Sequence, residues 1–329
     1  MKKTAKFGIL MIILVLGISV SGFAQFQTLD KLQKNADDFS EELAKVLPFN
    51  SALGLNWSDA YIGKLIPSIP PHFGVGASFG ITTMNLPIMK TLMSNFNYSI
   101  PFDIGKMILP AYAAEARIGG LFLPFDLGVK FGYLPPLGIW GKNLNFDYML
   151  AGGEIRFKLV DLKLFKLSLG GGANYLKGSI GAKAGSIPDI SLGGSAYNIE
   201  FAGSPEAKLL WQTTSLDFKA QASFHFFIIT PYIGLGASVA WSKAGYSVKA
   251  DIDSSSGDLQ DIIDYIKNEG YEINISGTGM ESIIKNHAFS IRAFGGLSLN
   301  MAMVRIDFTG LYSFRDKNFG GSVGFRFHL

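Results

Sequence analysis

From Phe73 to the end of the chain, apolar residues alternate with small or polar ones at a period of two. In the first such stretch Phe73, Val75, Ala77, Phe79 and Ile81 alternate with Gly74, Gly76, Ser78 and Gly80. The pattern returns over 112–122, 125–133, 149–159, 165–175, 216–226, 233–241, 289–299, 304–314 and 319–329, making ten stretches. Successive side chains on a strand point to opposite faces, so each stretch predicts a strand with two unlike faces. Their length, about nine to eleven residues, is what a tilted strand needs to cross a bilayer.

Charge placement sharpens this. Five stretches carry more than one charge: Glu115 and Arg117; Asp126 and Lys130; Glu154, Arg156 and Lys158; Asp217 and Lys219; Arg305 and Asp307. Within each, every charge has one parity and the opposite parity is apolar or glycine. Random placement would do this roughly once in 64 trials. A soluble sandwich also separates its faces, but it hides the apolar one. Here the apolar rows are wide and rich in Phe, while the polar rows are crowded with glycine and serine. Small residues suit a confined concave interior, so apolar reads as lipid-facing and polar as lumen-facing.

Composition excludes the main competitors. Only 17% of residues are charged and 48% are hydrophobic, which is wrong for long disorder and unusual for a soluble domain. Lys2, Lys3 and Lys6 account for the whole formal charge of +3, because 26 basic groups then face 26 acidic ones. A neutral chain has no electrostatic footprint for nucleic acid. With no cysteine there is no disulfide framework, thiol nucleophile or zinc–thiolate site.

Residues 1–24 have the form of a secretory signal peptide. Lys2, Lys3 and Lys6 precede an apolar run from Ile9 to Val20, and Gly22-Phe23-Ala24 places small residues at the cleavage positions. The run is shorter than the ~20 residues of a spanning helix. Next, Leu29, Leu32, Ala36, Phe39, Leu43 and Val46 are spaced three and four apart, predicting an amphipathic helix over 28–47 that Pro48 ends. Residues 25–71, this helix and a Pro-rich segment, form a plug or a periplasmic appendage, and 72–329 the barrel.

Loop lengths agree with a barrel whose ends are periplasmic. The even connections, 123–124, 160–164, 227–232 and 300–303, are short, whereas four of the five odd ones are long. Short inner turns and longer outer loops are the habit of such barrels. The expected fold class is all-β: an antiparallel up-and-down transmembrane barrel of about ten strands, with eight to twelve allowed, and a short N-terminal amphipathic helix. Loops 176–215 and 242–288 are expected to be the long outer ones, and Tyr197–Phe201 with Leu209–Trp211 either two further strands or an outer hairpin.

The C-terminus carries a resemblance. Val323-Gly-Phe325-Arg-Phe327-His-Leu329 resembles the last strand of bacterial outer-membrane β-barrel proteins, although the final residue is Leu329 rather than an aromatic. The resemblance implies that Phe325, Phe327 and Leu329 are read by the barrel-assembly machinery, and that the protein resides in the bacterial outer membrane. Outer-membrane acyl-chain transporters place an N-terminal segment inside the barrel, and residues 25–66 are similar to that segment in position only.

Motifs with chemical potential have plainer readings. Gly76-Ala-Ser78-Phe-Gly80 and Gly320-Gly-Ser322-Val-Gly324 match a nucleophile elbow, which works only at a strand-to-helix turn. Ser223 and His225 share a strand face, but a serine nucleophile also needs an orienting acid and an oxyanion hole. Asp251-Ile-Asp253-Ser-Ser255-Ser-Gly257-Asp258 departs from the EF-hand pattern at the glycine and at Ile262. Residues 251–281 nonetheless hold eight acids against Lys267, with a short amphipathic helix suggested by Leu259, Ile262, Ile263 and Ile266. No catalytic residue, metal or cofactor is assigned, and no enzymatic activity is expected.

The lumen carries the chemistry. Glu115, Asp126, Glu154, Asp217 and Asp307 are expected to face inward with Arg117, Lys130, Arg156, Lys158, Lys166, Lys219, Arg292, Arg305 and Arg326. This surplus of base calls for a partner, and Asp37, Asp38, Glu41 and Glu42 on the plug helix are one candidate. The expected function is a porin-like channel or gated transporter for small solutes, anions among them. A structural or adhesive surface protein with a filled lumen is the alternative, and a barrel hydrolase the third. The remaining partners implied are outer-membrane lipid and the assembly machinery.

Overall fold

The computed structural model describes residues 27–59, 62, 72–85, 106–119, 125–137, 144–183, 190–192, 197–254, 275–276, 279–301 and 303–328. The signal segment 1–24, the Pro-rich run 63–71, the loop helix around Leu259–Ile266 and Leu329 lie outside them.

One helix, α1 (Gln27–Ser51), precedes twelve strands. These are β1 (His72–Asn85), β2 (Lys106–Gly119), β3 (Phe125–Leu137), β4 (Leu144–Asp161), β5 (Phe165–Lys183), β6 (Ile190–Leu192), β7 (Tyr197–Phe224), β8 (Ile229–Ser254), β9 (Ile275–Ser276), β10 (Gly279–Met301), β11 (Val304–Ser313) and β12 (Phe319–His328). Ten of them form a closed antiparallel ring in which each strand pairs with the next, β6 and β9 being short additions to β7 and β10. The ring closes where β1 meets β12, with Val75 opposite Phe327 and Ala77 opposite Phe325. Closure leaves no open edge within the membrane, which a sheet in hydrocarbon requires. All ten stretches of alternation are strands of this ring.

The two faces separate as the charge parity demands. Outside, Phe79, Val129, Phe131, Phe218, Ile233, Leu235, Phe325 and Phe327 are exposed. On the β5–β7–β8–β10 wall the outward rows from Ala173/Leu216/Val239/Phe289 down to Phe165/Phe224 carry no charge. The row above that band is Tyr175, Thr214, Trp241 and His287. Aromatics at the margin of an apolar band are the girdle of a membrane barrel. Inside, Arg117, Arg156, Arg292 and Arg326 are among the most deeply buried side chains of the protein.

Two expectations change. The segments 176–215 and 242–288 are not chiefly loops: β7, β8 and β10 run for 28, 26 and 23 residues and stand well above the apolar band. Tyr197–Phe201 and Leu209–Trp211 are the upper part of β7, not separate strands. Neighbouring strands already supply hydrogen-bond partners there, so the ladder continues past the membrane. Pro48 does not end α1, which runs to Ser51. It sits in the last turn, where the amide it lacks removes one bond only. Beyond it the Ala52 and Leu53 N–H groups donate to the Phe49 and Asn50 carbonyls, and the chain turns at Gly54 and Leu55, both in the left-handed region with φ of 83° and 57°.

Candidate functional site

The chain enters the barrel from the side of the long connections. Within α1, Phe39, Leu43, Val46, Leu47 and Phe49 are buried, packed into the lumen beside Phe146, Tyr148, Leu209, Trp211, Phe294 and Leu311. Lys45 acts on Asp316 in the turn between β11 and β12, which places this part of the helix near the long-loop rim. Burial lifts the Asp316 carboxyl above the usual carboxylate range, against the opposing pull of Arg315, Ser313 and Lys45. Residues 50–59 and 62 then descend to the short-turn end. Asn50 Nδ2 donates to Thr82 Oγ1 at 2.7 Å, and the Ser51 and Ser215 hydroxyls meet at 3.1 Å.

The upper lumen is therefore apolar. The inward row there is Leu109, Ala111, Phe146, Tyr148, Leu176, Leu209 and Trp211, in contrast to the glycine- and serine-rich inward rows expected from the sequence. The signal was present in Phe146, Leu209 and Trp211, but they lie above the stretches read as strands.

The lower lumen is a charge network threaded by residues 51–62. Asp126 accepts from Arg117 and Arg156, each at 2.7 Å, and Glu154 from Arg117 at 2.7 Å and Lys219 at 2.6 Å. Asp217 takes both terminal nitrogens of Arg292, at 2.8 and 2.6 Å, with the Ser238 hydroxyl beside them. Asp307 takes Arg326 at 2.6 Å. Such pairing inside a narrow barrel satisfies charges that would otherwise be costly to bury.

The remaining cations turn to the threaded segment. Lys130 donates to the carbonyls of Ser51 and Leu53 at 2.8 and 2.5 Å. Arg117 and Lys219 share the Leu55 carbonyl at 3.0 Å each, and Arg156 donates to that of Asp59 at 2.7 Å. The Asp59 carboxylate receives Arg305 at 2.5 Å, Arg326 at 2.8 Å and His225 Nε2 at 2.9 Å. Trp57 lies between guanidinium groups, Arg326 4.7 Å and Arg117 5.6 Å from its ring, and its indole N–H donates to Glu115 at 2.6 Å. The Ser78 hydroxyl donates to the same carboxylate.

Glycine in the inward rows has a local reason here. A Cβ on Gly74 would come within 2.8 Å of the Trp57 ring, and one on Gly80 within 3.1 Å of Leu53. Among the described residues, the voids beside Trp57 and beside Lys130 are about 20 and about 10 Å³, room for a single water each at most.

Of the fourteen residues expected to line the lumen, twelve belong to this network. Lys158 instead pairs with Asp161 at 3.0 Å at the short turn, and Lys166 stands half-buried at the same rim. Glu41 pairs with Lys45 one turn on, at 2.6 Å, and the six wall cations that reach the threaded segment bind Asp59 and main-chain oxygens. Asp59 was missed in the sequence although it is the only charge between Lys45 and Lys64. Its segment has no period, so nothing local marked it as luminal.

The other motifs fall into place. Ser78 and Ser322 are mid-strand in β1 and β12, not at a strand-to-helix turn. His225 finds its acid in Asp59, from outside its own strand. Asp251 and Asp253 lie on β8 and Glu281 on β10, whereas the acids from Asp258 to Glu272 lie outside the described residues. Among the described residues no group of three or more His, Asp and Glu is arranged for a metal ion.

No protein-family model matches the sequence. No curated protein matches it either. Solved structures do. The outer-membrane protease OmpT from Escherichia coli is 9% identical, with a TM-score of 0.40, covering 83% of this chain and 100% of its own. The translocator domain of the autotransporter NalP from Neisseria meningitidis is 8% identical, with a TM-score of 0.35, covering 90% and 97%. The attachment invasion locus protein Ail of Yersinia pestis is 9% identical, with a TM-score of 0.25, covering 79% and 97%. All are bacterial outer-membrane β-barrels, and this chain has that architecture, with no narrower family shown. The expectation of no enzymatic activity is withdrawn: barrels similar to this one include a protease alongside other kinds, so the fold gives no ground for it.

Proposed function

We propose that this outer-membrane barrel is a gated transporter, closed in the state described by its own N-terminal segment, and that its cargo is apolar. The observation that carries this reading is the two-tier lumen. Its upper half offers a wall of Phe146, Tyr148, Leu209, Trp211 and Phe294, now covered by the apolar face of α1. A cargo that replaced Leu43, Leu47 and Phe49 on that wall would recover the same apolar burial, about 25 cal/mol per Å². An anionic cargo is not favoured, because Asp59 and four carbonyls already answer the surplus of base.

The chain has no cysteine, so one engineered disulfide tests the gate cleanly. Ser51 and Ser215, whose hydroxyls are 3.1 Å apart, are replaced together by cysteine. Uptake of a panel of labelled apolar solutes by cells making the oxidised variant should fall to that of cells lacking the protein, and recover on reduction. Uptake unaffected by the lock would overturn the gate. A second reading, a surface platform with a permanently filled lumen, is favoured by the height of β7, β8 and β10 above the membrane band; its binding activity would survive the lock.

A further inference from the structure

The outer wall has a row of cations that meets no counter-acid among the described residues. On β5, β7, β8 and β10 the residues in register directly above Tyr175, Thr214, Trp241 and His287 are Lys177, Gln212, Lys243 and Lys285. All three lysines are exposed and face outward, away from the lumen network. Lys243 and Lys285 stand directly opposite each other on neighbouring strands. Cβ atoms so placed are roughly 5 Å apart, and like charges there destabilise the pair.

Among the described residues nothing relieves this. Among the described residues none of the three lysines makes an ion pair. Asp147 on the adjoining strand is already engaged by the Ser179 hydroxyl and lies 3.8 Å from Lys208. Arg315 stands lower, its Nη1 donating to the Phe289 carbonyl at 2.8 Å, two residues below His287. The height of the row matters as much as its charge. Two residues below it lies the aromatic margin, and below that only apolar side chains. A strand rises about 3.4 Å per residue and is tilted by ~40°, so the row sits about 5 Å above the margin. That is the depth of lipid phosphates, not of acyl chains or bulk water.

We infer that Lys243 and Lys285, flanked by Lys177, form a binding site for the phosphate of a lipid in the leaflet at the long-loop end. One phosphate between the two ammonium groups turns a repulsive pair into two charge-assisted contacts. The acyl chains descend over Trp241, Val239 and Phe289. Lysine suits this role, because a compact ammonium on a flexible stem can rise from the apolar band to meet a mobile headgroup. The site is independent of the lumen and of any transport.

The test uses the full-length barrel in neutral detergent, with native mass spectrometry reading bound lipid. The probes are dioleoyl phosphatidic acid and dioleoylglycerol, which differ only in the phosphate. The wild type should retain phosphatidic acid at least tenfold better than diacylglycerol. Lys243→Gln with Lys285→Gln should reduce that preference to within twofold, with the folded band on an unheated gel unchanged. Lys163→Gln with Lys317→Gln, which removes two exposed charges elsewhere, should leave the preference intact. Equal retention by the Lys243/Lys285 variant and the wild type overturns the site. So does an equal loss in the Lys163/Lys317 variant, which would mean diffuse charge only. A final arm adds orthophosphate at millimolar concentration. Lipid should stay bound; its displacement would mark a site for free phosphate and overturn the lipid assignment.

Discussion

Arg326 in the last strand donates to the Asp59 carboxylate at 2.8 Å, joining the threaded segment to the strand that closes the barrel across 267 positions of sequence. The same guanidinium holds Asp307 and lies over Trp57, so one side chain ties plug, wall and closure together.

Asp59→Asn should therefore loosen both the plug and the seam. Removing one partner of a buried ion pair costs roughly 3–5 kcal/mol, and the lower end applies because Arg326 keeps Asp307. The temperature at which the folded band disappears on a gel should fall by several degrees. An unchanged temperature would mean that Arg305 and Arg326 do not depend on Asp59.

Deleting the helix alone should not open the pore. The cations that caulk the lower lumen bind residues 51–59, so a chain lacking 27–47 should remain silent in planar bilayers. Trp57→Ala combined with Asp59→Asn should raise the frequency of openings. A large steady conductance from the helix deletion would place the constriction in the upper tier instead.

Threading from the long-loop side makes a topological prediction. Single cysteines at Glu41 and Lys317 should react with an impermeant maleimide on intact cells. One at Lys163, in the short turn between β4 and β5, should react only after the outer membrane is breached. Labelling of Lys163→Cys alone on intact cells would reverse the assigned orientation.

The Arg292–Asp217 pair separates structural need from burial cost. Arg292→Met leaves Asp217 buried without its guanidinium and should cost roughly 3–5 kcal/mol in urea unfolding from vesicles. Arg292→Met with Asp217→Leu should recover most of that loss, since no charge is then stranded. A double variant as unstable as the single one would show that the pair itself is required.

Phe325→Asp with Phe327→Asp should block insertion. Both rings face lipid, and acids in that row carry a depth-dependent cost, below the ~2–4 kcal/mol of Arg or Lys at the midplane but doubled by substituting two. Membrane yield equal to wild type would remove the last strand from any role in assembly.

The sequence by itself determined the barrel and the facing of its wall. Period-two alternation with charge of one parity has a single solution when strands must cross hydrocarbon, because every outward side chain then meets lipid and every inward one does not. Arg117, Asp126, Glu154 and Asp307 were legible for that reason. Tertiary structure alone decided what fills the lumen. Residues 51–62 have no period, and their wall partners lie 58 to 268 positions away, so neither Asp59 nor the carbonyls that receive Lys130 and Arg156 could be assigned from local pattern. Amphipathicity likewise names a polar face of the helix without naming what meets it. Strand height was hidden for a related cause. Above the membrane both faces of β7 and β8 meet water or protein, so the alternation that marks a spanning strand fades while the hydrogen-bonded ladder continues. The opposed pair Lys243 and Lys285 is visible only in the register, which only the closed sheet supplies.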